Sequence, residues 1–128
     1  MKPAMLGLLL MSCMISAANA ETYKCSFSKH SDPTGMIEDK APFEMSFLVD
    51  HETNKSYIIG NAGSSPVTSL LQKDGTGITF VEVTQSGSVQ VTAISPNLAV
   101  HSRHSFIGIP GQGSLMPSQY YGTCTFQP

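Results

Sequence analysis

The densest group of chemically capable side chains is the run His101-Ser102-Arg103-His104. Side chains alternate along an extended strand, so His101 and Arg103 should share one face and Ser102 and His104 the other. The two histidines therefore do not converge on one point, and no further His, Cys or carboxylate residues are grouped beside them in the sequence. A zinc or similar metal site needs three or four converging ligands. We predict no metal site and no cofactor.

The face that carries Ser102 and His104 is expected to point inward, because the same alternation gives it apolar neighbours: Leu98, Val100 and Phe106. Two interpretations follow. His104 is a core histidine hydrogen-bonded to a carbonyl or a tyrosine hydroxyl, or Ser102, His104 and Tyr120 line a small polar pocket. No acidic residue is identifiable as a partner that would orient His104, so we predict no hydrolytic triad and no catalytic residue.

Two other groups are candidates for contact with a partner. His101 and Arg103, expected on the outer face, either bind an acidic partner or form an ordinary solvated surface. The segment 107–117 is rich in glycine and proline, and it lacks the lysine and the helix of a phosphate-binding loop. It also contains four apolar residues, which either plug one end of the fold or contact another protein: Ile107, Ile109, Leu115 and Met116.

The elements that must position these residues are β-strands. From Tyr23 onward apolar residues recur with period two, and turn residues interrupt the pattern every eight to twelve positions. This pattern predicts eight strands, no helix, mostly short connections and one longer connection over 30–42. Strands joined by short turns pair as antiparallel neighbours, so the sequence predicts a meander.

The first and last strands carry similar faces, with Cys25 and Cys124 at matching positions. In a meander of eight strands these two run antiparallel, and pairing them removes both exposed edges. We therefore predict an all-β fold, a small eight-stranded antiparallel up-and-down barrel closed by a Cys25–Cys124 disulfide, with a two-sheet β-sandwich as the alternative. A barrel of this size is expected to be filled by its inward side chains: Phe27, Phe43, Met45, Phe47, Tyr57, Phe106, Tyr120 and Phe126.

The Tyr23-Lys24-Cys25 start, the cysteine at Cys124 and the strand count resemble the small periplasmic lysozyme inhibitors of bacteria. That resemblance implies a disulfide-tied eight-stranded barrel with a cysteine near each end. The chain contains no Trp, so the tryptophan-containing motif associated with those inhibitors is missing. The resemblance therefore concerns architecture, and no functional residue is carried over from it.

Residues 1–20 have the features of a bacterial secretory signal peptide: Lys2, a short apolar run and small residues at Ala18 and Ala20 before Glu21. We predict cleavage after Ala20, a single domain over residues 21–128 and a periplasmic or secreted location. Cys13 is weakly placed for a lipid anchor, because apolar residues continue beyond it. No window reaches the roughly 20 apolar residues that a transmembrane segment requires.

Charge narrows the class of partner. Without Lys2, six basic residues face nine acidic ones, a net charge of −3. This balance argues against a nucleic-acid partner. The favoured function is a non-enzymatic exported domain that binds another protein or an envelope component through the loops at one barrel end. The alternative is a small-molecule binder or minor hydrolase with a site around Ser102, His104 and Tyr120.

Overall fold

The computed structural model describes residues 19–61, 63–108, 111 and 113–128. The predicted signal peptide, apart from Asn19 and Ala20, lies outside this part of the chain, as do Cys13 and Ile109. The described residues form eight strands: β1 Ala20–Asp32, β2 Gly35–Asp50, β3 Lys55–Gly60, β4 Gly63–Leu71, β5 Ile78–Val83, β6 Val89–Ile94, β7 Ala99–Ile107 and β8 Ser114–Gln127. Within them, no helix has the length and apolar character needed to cross a membrane.

The eight strands form one closed antiparallel barrel in sequence order. Each strand pairs with the next, and β1 closes the ring by pairing with β8 over Thr22–Ser31 and Gln127–Gln119. Cys25 lies directly opposite Cys124 in this register and forms a disulfide with it. The predicted barrel and its closing disulfide are thus confirmed, and the two-sheet sandwich is not what the chain forms.

The connections alternate between the two ends of the barrel. We call the end with the β1–β2, β3–β4, β5–β6 and β7–β8 connections the upper end, and the opposite end the lower end. At the upper end, β7 and β8 remain paired as far as Ile107 and Ser114. The pairing of β7 with β6 stops at His104, and that of β8 with β1 stops at Gln119. Residues 105–107 and 114–116 therefore form a two-stranded extension, the β7–β8 ribbon, where a loop was expected over 107–117.

The first connection is also shorter than expected. The long loop expected over 30–42 is instead a hairpin, with Asp32 paired to Gly35. The register shifts within this hairpin, because Phe27 pairs with Phe43 whereas Lys29 pairs with Glu38. One residue of β1 therefore faces a four-residue bulge, 39–42, in β2. Polar residues together with Pro42 resemble a loop in sequence, but a bulge accommodates them within a continuing strand.

The core is a stack of aromatic rings inside the ring of strands. Phe27, Phe47 and Phe80 are at most 1% exposed, and the Phe47 and Phe80 rings stack with centroids 4.3 Å apart. The space around them is filled by smaller buried residues: Cys25, Met45, Val49, Ile78, Ile94 and Ala99. Alternation along β1, β2 and β5 explains this core, because the inward positions of these strands below the upper mouth are apolar.

Several of the predicted inward residues lie elsewhere. Phe27, Met45 and Phe47 are buried, and Phe43 and Tyr120 are partly buried against them. Phe106 is 64% exposed, and Phe126 is half-exposed at the lower end beside Tyr23. In β3 the buried position is Ser56, so its neighbour Tyr57 falls on the opposite face. Pairing sets this parity, since Tyr57 lies opposite Leu48, between the buried positions Phe47 and Val49.

Candidate functional site

The inner face of β7 is the opposite of the one expected from its apolar residues. Ala99 and His101 are buried, at 0% and 1% exposure, whereas His104 is exposed. The expectation that Ser102 and His104 face inward and His101 and Arg103 outward is therefore wrong. Ala99 pairs with Gly122, so two of the smallest residues of β7 and β8 lie opposite each other. The bulkier Leu98 and Val100 alternate with Ala99 and therefore lie on the outer face.

His101 is a buried, neutral histidine. Its Nδ1 lies 2.7 Å from the Thr92 hydroxyl, and its ring centroid lies 6.0 Å from that of Phe27 and 5.9 Å from that of Phe43. Burial, followed by the neighbouring charge of Arg103, lowers the pKa of His101 from 6.5 to about 4. Both effects disfavour the imidazolium, so the ring is uncharged near neutral pH.

A directed chain of hydrogen bonds runs from the upper end into the core. Arg103 donates its Nε–H to His101 Nε2 at 3.3 Å. Since Nε2 accepts, the proton of the neutral ring sits on Nδ1 and is donated to the Thr92 oxygen. The Thr92 hydroxyl in turn donates to the Met45 sulfur at 3.9 Å. Each donor in this series of hydrogen bonds has an acceptor, and the Arg103 guanidinium is held at its upper end.

The Arg103 guanidinium lies against two adjacent aromatic rings, whose centroids are 5.1 Å apart. Its central carbon is 4.7 Å from the centroid of Phe43 and 5.0 Å from that of Tyr120. Cation–π contacts of this kind stabilise by about 0.5–2 kcal/mol each. Among the described residues no carboxylate lies within ion-pair distance of Arg103, and the two ion pairs that are present involve His30 and His51. Arg103 is therefore a positioned cation without a counter-charge.

His30 and Asp39 form an ion pair beside Tyr120. The His30 ring stacks on the Tyr120 ring at a centroid distance of 5.1 Å, and His30 Nδ1 lies 2.8 Å from an Asp39 carboxylate oxygen. Asp39 begins the bulge of β2, so the bulge places the carboxylate beside the histidine. The Tyr120 ring therefore stacks against His30 and also lies close to the Arg103 guanidinium.

The space next to Arg103 is a cavity of about 390 Å³ at the upper mouth of the barrel. Its floor is apolar, and its rim is formed by the β3–β4 turn and by inward polar residues of β5 and β6. The residues that matter for its chemistry are Phe43, Met45, Ile58, Glu82, Gln90 and Arg103. Cross-strand pairing puts Glu82, Gln90 and Arg103 in one row across three strands.

The predicted polar pocket is divided by the sheet. Tyr120 packs inside the barrel against Phe43 and His101. Ser102 lies on the outer surface, where its hydroxyl accepts a hydrogen bond from Gln119 Nε2 at 2.9 Å. It is Tyr121, through Gln119, that shares the outer face with Ser102. No hydrogen bond links Ser102 to His104 in the described part of the chain, so the pair has no nucleophile–base geometry.

The β7–β8 ribbon carries the other predicted contact residues, and its side chains are not folded over the mouth. Ile107, Leu115 and Met116 are 56%, 52% and 45% exposed, and Phe106 joins them at 64%. Ile109 lies outside the described residues. The idea that this segment plugs the barrel end is therefore not supported for its described part.

Sequence patterns alone did not associate Phe43, Gln90 and Thr92 with Arg103. These residues come from strands 11 to 60 positions away in the chain, and only the strand register brings them together. The single usable signal was that Arg103 is the one arginine of the protein. Across the described ranges, no group of three or more His, Cys, Asp or Glu residues could hold a metal ion.

The chain matches no family model, no curated protein and no solved structure. Its function is therefore argued from the geometry of the upper end: a fixed cation in a small mouth, and beside it an exposed apolar ribbon.

Proposed function

We propose that this protein is a non-enzymatic, exported binding domain that attaches to another protein through the β7–β8 ribbon. The observation that carries the proposal is the concentration of four exposed apolar side chains on a ribbon that extends past both neighbouring strands: Phe106, Ile107, Leu115 and Met116. Exposed apolar groups clustered at one place commonly mark interaction sites.

The pairing of the ribbon defines the shape of its partner. Phe106 pairs with Leu115 and so projects on the same side, whereas Ile107 and Met116 belong to the opposite side. A ribbon that is apolar on both sides suits insertion into a groove better than lying on a flat surface. Fully burying one such side chain stabilises a complex by about 1.5–3 kcal/mol before the costs of association.

Two features favour a protein partner over other macromolecules. Beyond His104 and Gln119 the outer edges of the ribbon have no neighbouring strand within the described residues. Apart from the Phe106 N–H, which donates to the Ser88 hydroxyl at 3.4 Å, their backbone groups can pair with an extended segment of a partner. The net charge of −3 expected for residues 21–128 also disfavours nucleic acids and anionic lipid surfaces.

Export is supported by the disulfide and by the sequence of the first 20 residues. Disulfides persist mainly in oxidising compartments such as the bacterial periplasm and the cell exterior. The Cys25–Cys124 bond links the first and last strands of the barrel, and an oxidising compartment would preserve it. A partner that belongs to the cell envelope is consistent with this location.

The proposal is tested by affinity capture with matched surface variants, followed by reconstitution. The tagged wild-type protein, a Phe106→Ser/Leu115→Ser variant and an Ile107→Ser/Met116→Ser variant are each incubated with an extract of the envelope of the source cells. The control is Leu71→Ser, a lower-end position that is 70% exposed. Any protein retained by the wild type is purified, and its affinity for all four proteins is measured by calorimetry.

We expect the wild type and the Leu71→Ser control to bind the purified partner equally. Each ribbon variant should bind at least about tenfold more weakly, because about 1.4 kcal/mol of lost burial corresponds to a factor of ten. Equal affinities for ribbon variants and wild type, or no protein retained above a bare-resin control, would refute the proposal.

A further inference from the structure

The cavity at the upper mouth has the elements of a ligand site that does not involve the ribbon. We infer that it binds a single carboxylate that is carried next to an apolar group, with Arg103 as the residue that contacts the carboxylate. The site is lined by residues of β2, β3, β5, β6 and β7, and it does not depend on the proposed protein partner.

The Arg103 guanidinium is held in place but keeps free hydrogen-bond donors. Its Nε–H is used by His101, and this is its only side-chain hydrogen bond among the described residues. No buried side-chain nitrogen or oxygen in that part of the chain lacks a partner, so the two Nη groups are in reach of solvent. They remain available for a planar, two-point contact with a carboxylate.

The Arg103 side chain is partly desolvated, and no carboxylate among the described residues pairs with its charge. It is half-buried and borders two aromatic rings. The partner of its Nε–H is the uncharged His101, which accepts a hydrogen bond but supplies no negative charge. A half-buried cation that is not paired with a carboxylate gains more from an added anion than a fully hydrated lysine on the surface does.

The charge of the cavity lining distinguishes a carboxylate ligand from a phosphate ligand. Glu44 and Glu82 also line the cavity. Glu82 and Arg103 are separated by one strand in the row Glu82, Gln90, Arg103, which corresponds to roughly 10 Å at about 4.8 Å per strand. That distance separates the two backbones, and among the described residues neither glutamate forms an ion pair with Arg103. Both glutamates repel added negative charge, and they repel a dianion about twice as strongly as a monoanion. The mouth therefore favours a monoanion over a dianion.

The apolar part of the cavity indicates which group is attached to the carboxylate. Phe43, Met45 and Ile58 form the floor of the same cavity of about 390 Å³. A volume of this order accommodates an amino-acid side chain or a small aromatic acid. The carboxylate source is then either a free small acid or the C-terminal residue of a peptide chain, and the two differ in how much of the ligand continues beyond the rim.

Binding is tested by nuclear magnetic resonance on isotopically labelled protein. The probes are N-acetylphenylalanine and its neutral twin N-acetylphenylalaninamide, titrated while the arginine Nε–H and the backbone amides are observed. Because the protein contains one arginine, the Nε–H resonance reports directly on Arg103. A third probe, acetyl-trialanyl-phenylalanine with a free carboxylate, distinguishes the sources: tighter binding than the single amino acid indicates a chain end, and equal or weaker binding a free acid.

We expect the acid to shift the Arg103 resonance and to bind about ten- to a hundredfold more tightly than the amide, since a hydrogen bond to a charged group contributes about 1.5–3 kcal/mol. Arg103→Gln should abolish this preference, and Arg103→Lys should reduce it, because an ammonium lacks the planar fork. His104→Gln, on the outer face of the same strand, is the matched control and should leave it unchanged.

The acid–amide comparison uses only the wild-type protein, so it decides the matter even where a variant fails to fold. Equal affinity for acid and amide, or no shift with either probe at millimolar concentrations, would overturn the inference. Failure here leaves the ribbon experiment untouched, since that experiment measures a protein partner with variants outside the mouth.

Discussion

Lowering the pH should destabilise the barrel through His101 in a defined window. In the unfolded chain the pKa of His101 is 6.5, whereas in the folded barrel it is lowered to about 4. Between pH 6.5 and pH 4, His101 is protonated in the unfolded state and neutral in the folded state. Stability is therefore fully present above pH 6.5 and is lost as the pH falls towards 4.

The magnitude follows from the gap between the two pKa values. A difference of about 2.5, obtained as 6.5 minus 4, corresponds to about 3 kcal/mol at 1.36 kcal/mol for each pH unit. The side chain is 1% exposed, so solvent screening reduces this little. For a domain whose total stability is typically 5–15 kcal/mol, this loss is a large fraction.

The assay is urea unfolding at pH 7, 6, 5 and 4, followed by far-ultraviolet circular dichroism because the chain has no tryptophan. The comparison is His101→Gln, whose amide oxygen can still accept from Arg103 but which does not titrate. We expect the variant to be less stable at pH 7 and to lose about 3 kcal/mol less than the wild type between pH 7 and 4.

Other acids titrate in a lower window and are distinguishable. Hydrogen bonds from nearby threonines lower the pKa of Asp32, Asp50 and Asp74 below 3.8, so the stability they provide disappears only beneath that pH. Parallel pH profiles for wild type and His101→Gln, or a directly measured histidine pKa near 6.5 for the buried ring, would refute the reasoning.

Three further predictions concern the closure and the core. Gly122→Ala should prevent barrel closure, because a Cβ there would overlap the carbonyl oxygen of Ser26 and lie 2.7 Å from the Phe27 Cα. Gly60→Ala meets nothing within 4 Å and should be tolerated; melting temperatures compare the two variants, and similar values would contradict the packing argument. Replacing Cys25 and Cys124 by alanine together should cost about 4–5 kcal/mol in urea unfolding, since the bond closes a loop with a sequence separation of 99, and an unchanged midpoint would show that closure does not need it. Phe80→Ala, at a ring that is 1% exposed, should cost about 3–5 kcal/mol, and a loss below 1 kcal/mol would mean that the core collapses around the gap.

The topology was predictable from the sequence because it depends on local patterns. Period-two alternation in segments such as 43–49 and turn residues at regular intervals indicate successive antiparallel strands. An even number of strands leaves the first and last antiparallel, and the matching faces around Cys25 and Cys124 show that they are neighbours. None of these inferences requires knowledge of the register between strands.

The candidate site was only partly predictable, because its residues meet through register. His101 and Arg103 were identified as notable, but on the wrong face. Leu98, Val100 and Phe106 made the other face look like the core, although apolar residues on an outer face are common in folded proteins. For a strand with apolar residues on both sides, alternation alone leaves two assignments of nearly equal merit.

The sequence by itself determined that this chain forms a small disulfide-closed β-barrel with a glycine-rich apolar segment near its last strand. The tertiary structure decided which side of each strand faces the interior. The pairing of Ala99 with Gly122 and of Thr92 with His101 fixes β7 so that the imidazole is buried and Arg103 reaches the mouth. A shift of one residue would exchange these faces, and only the contacts of the closed ring exclude that shift.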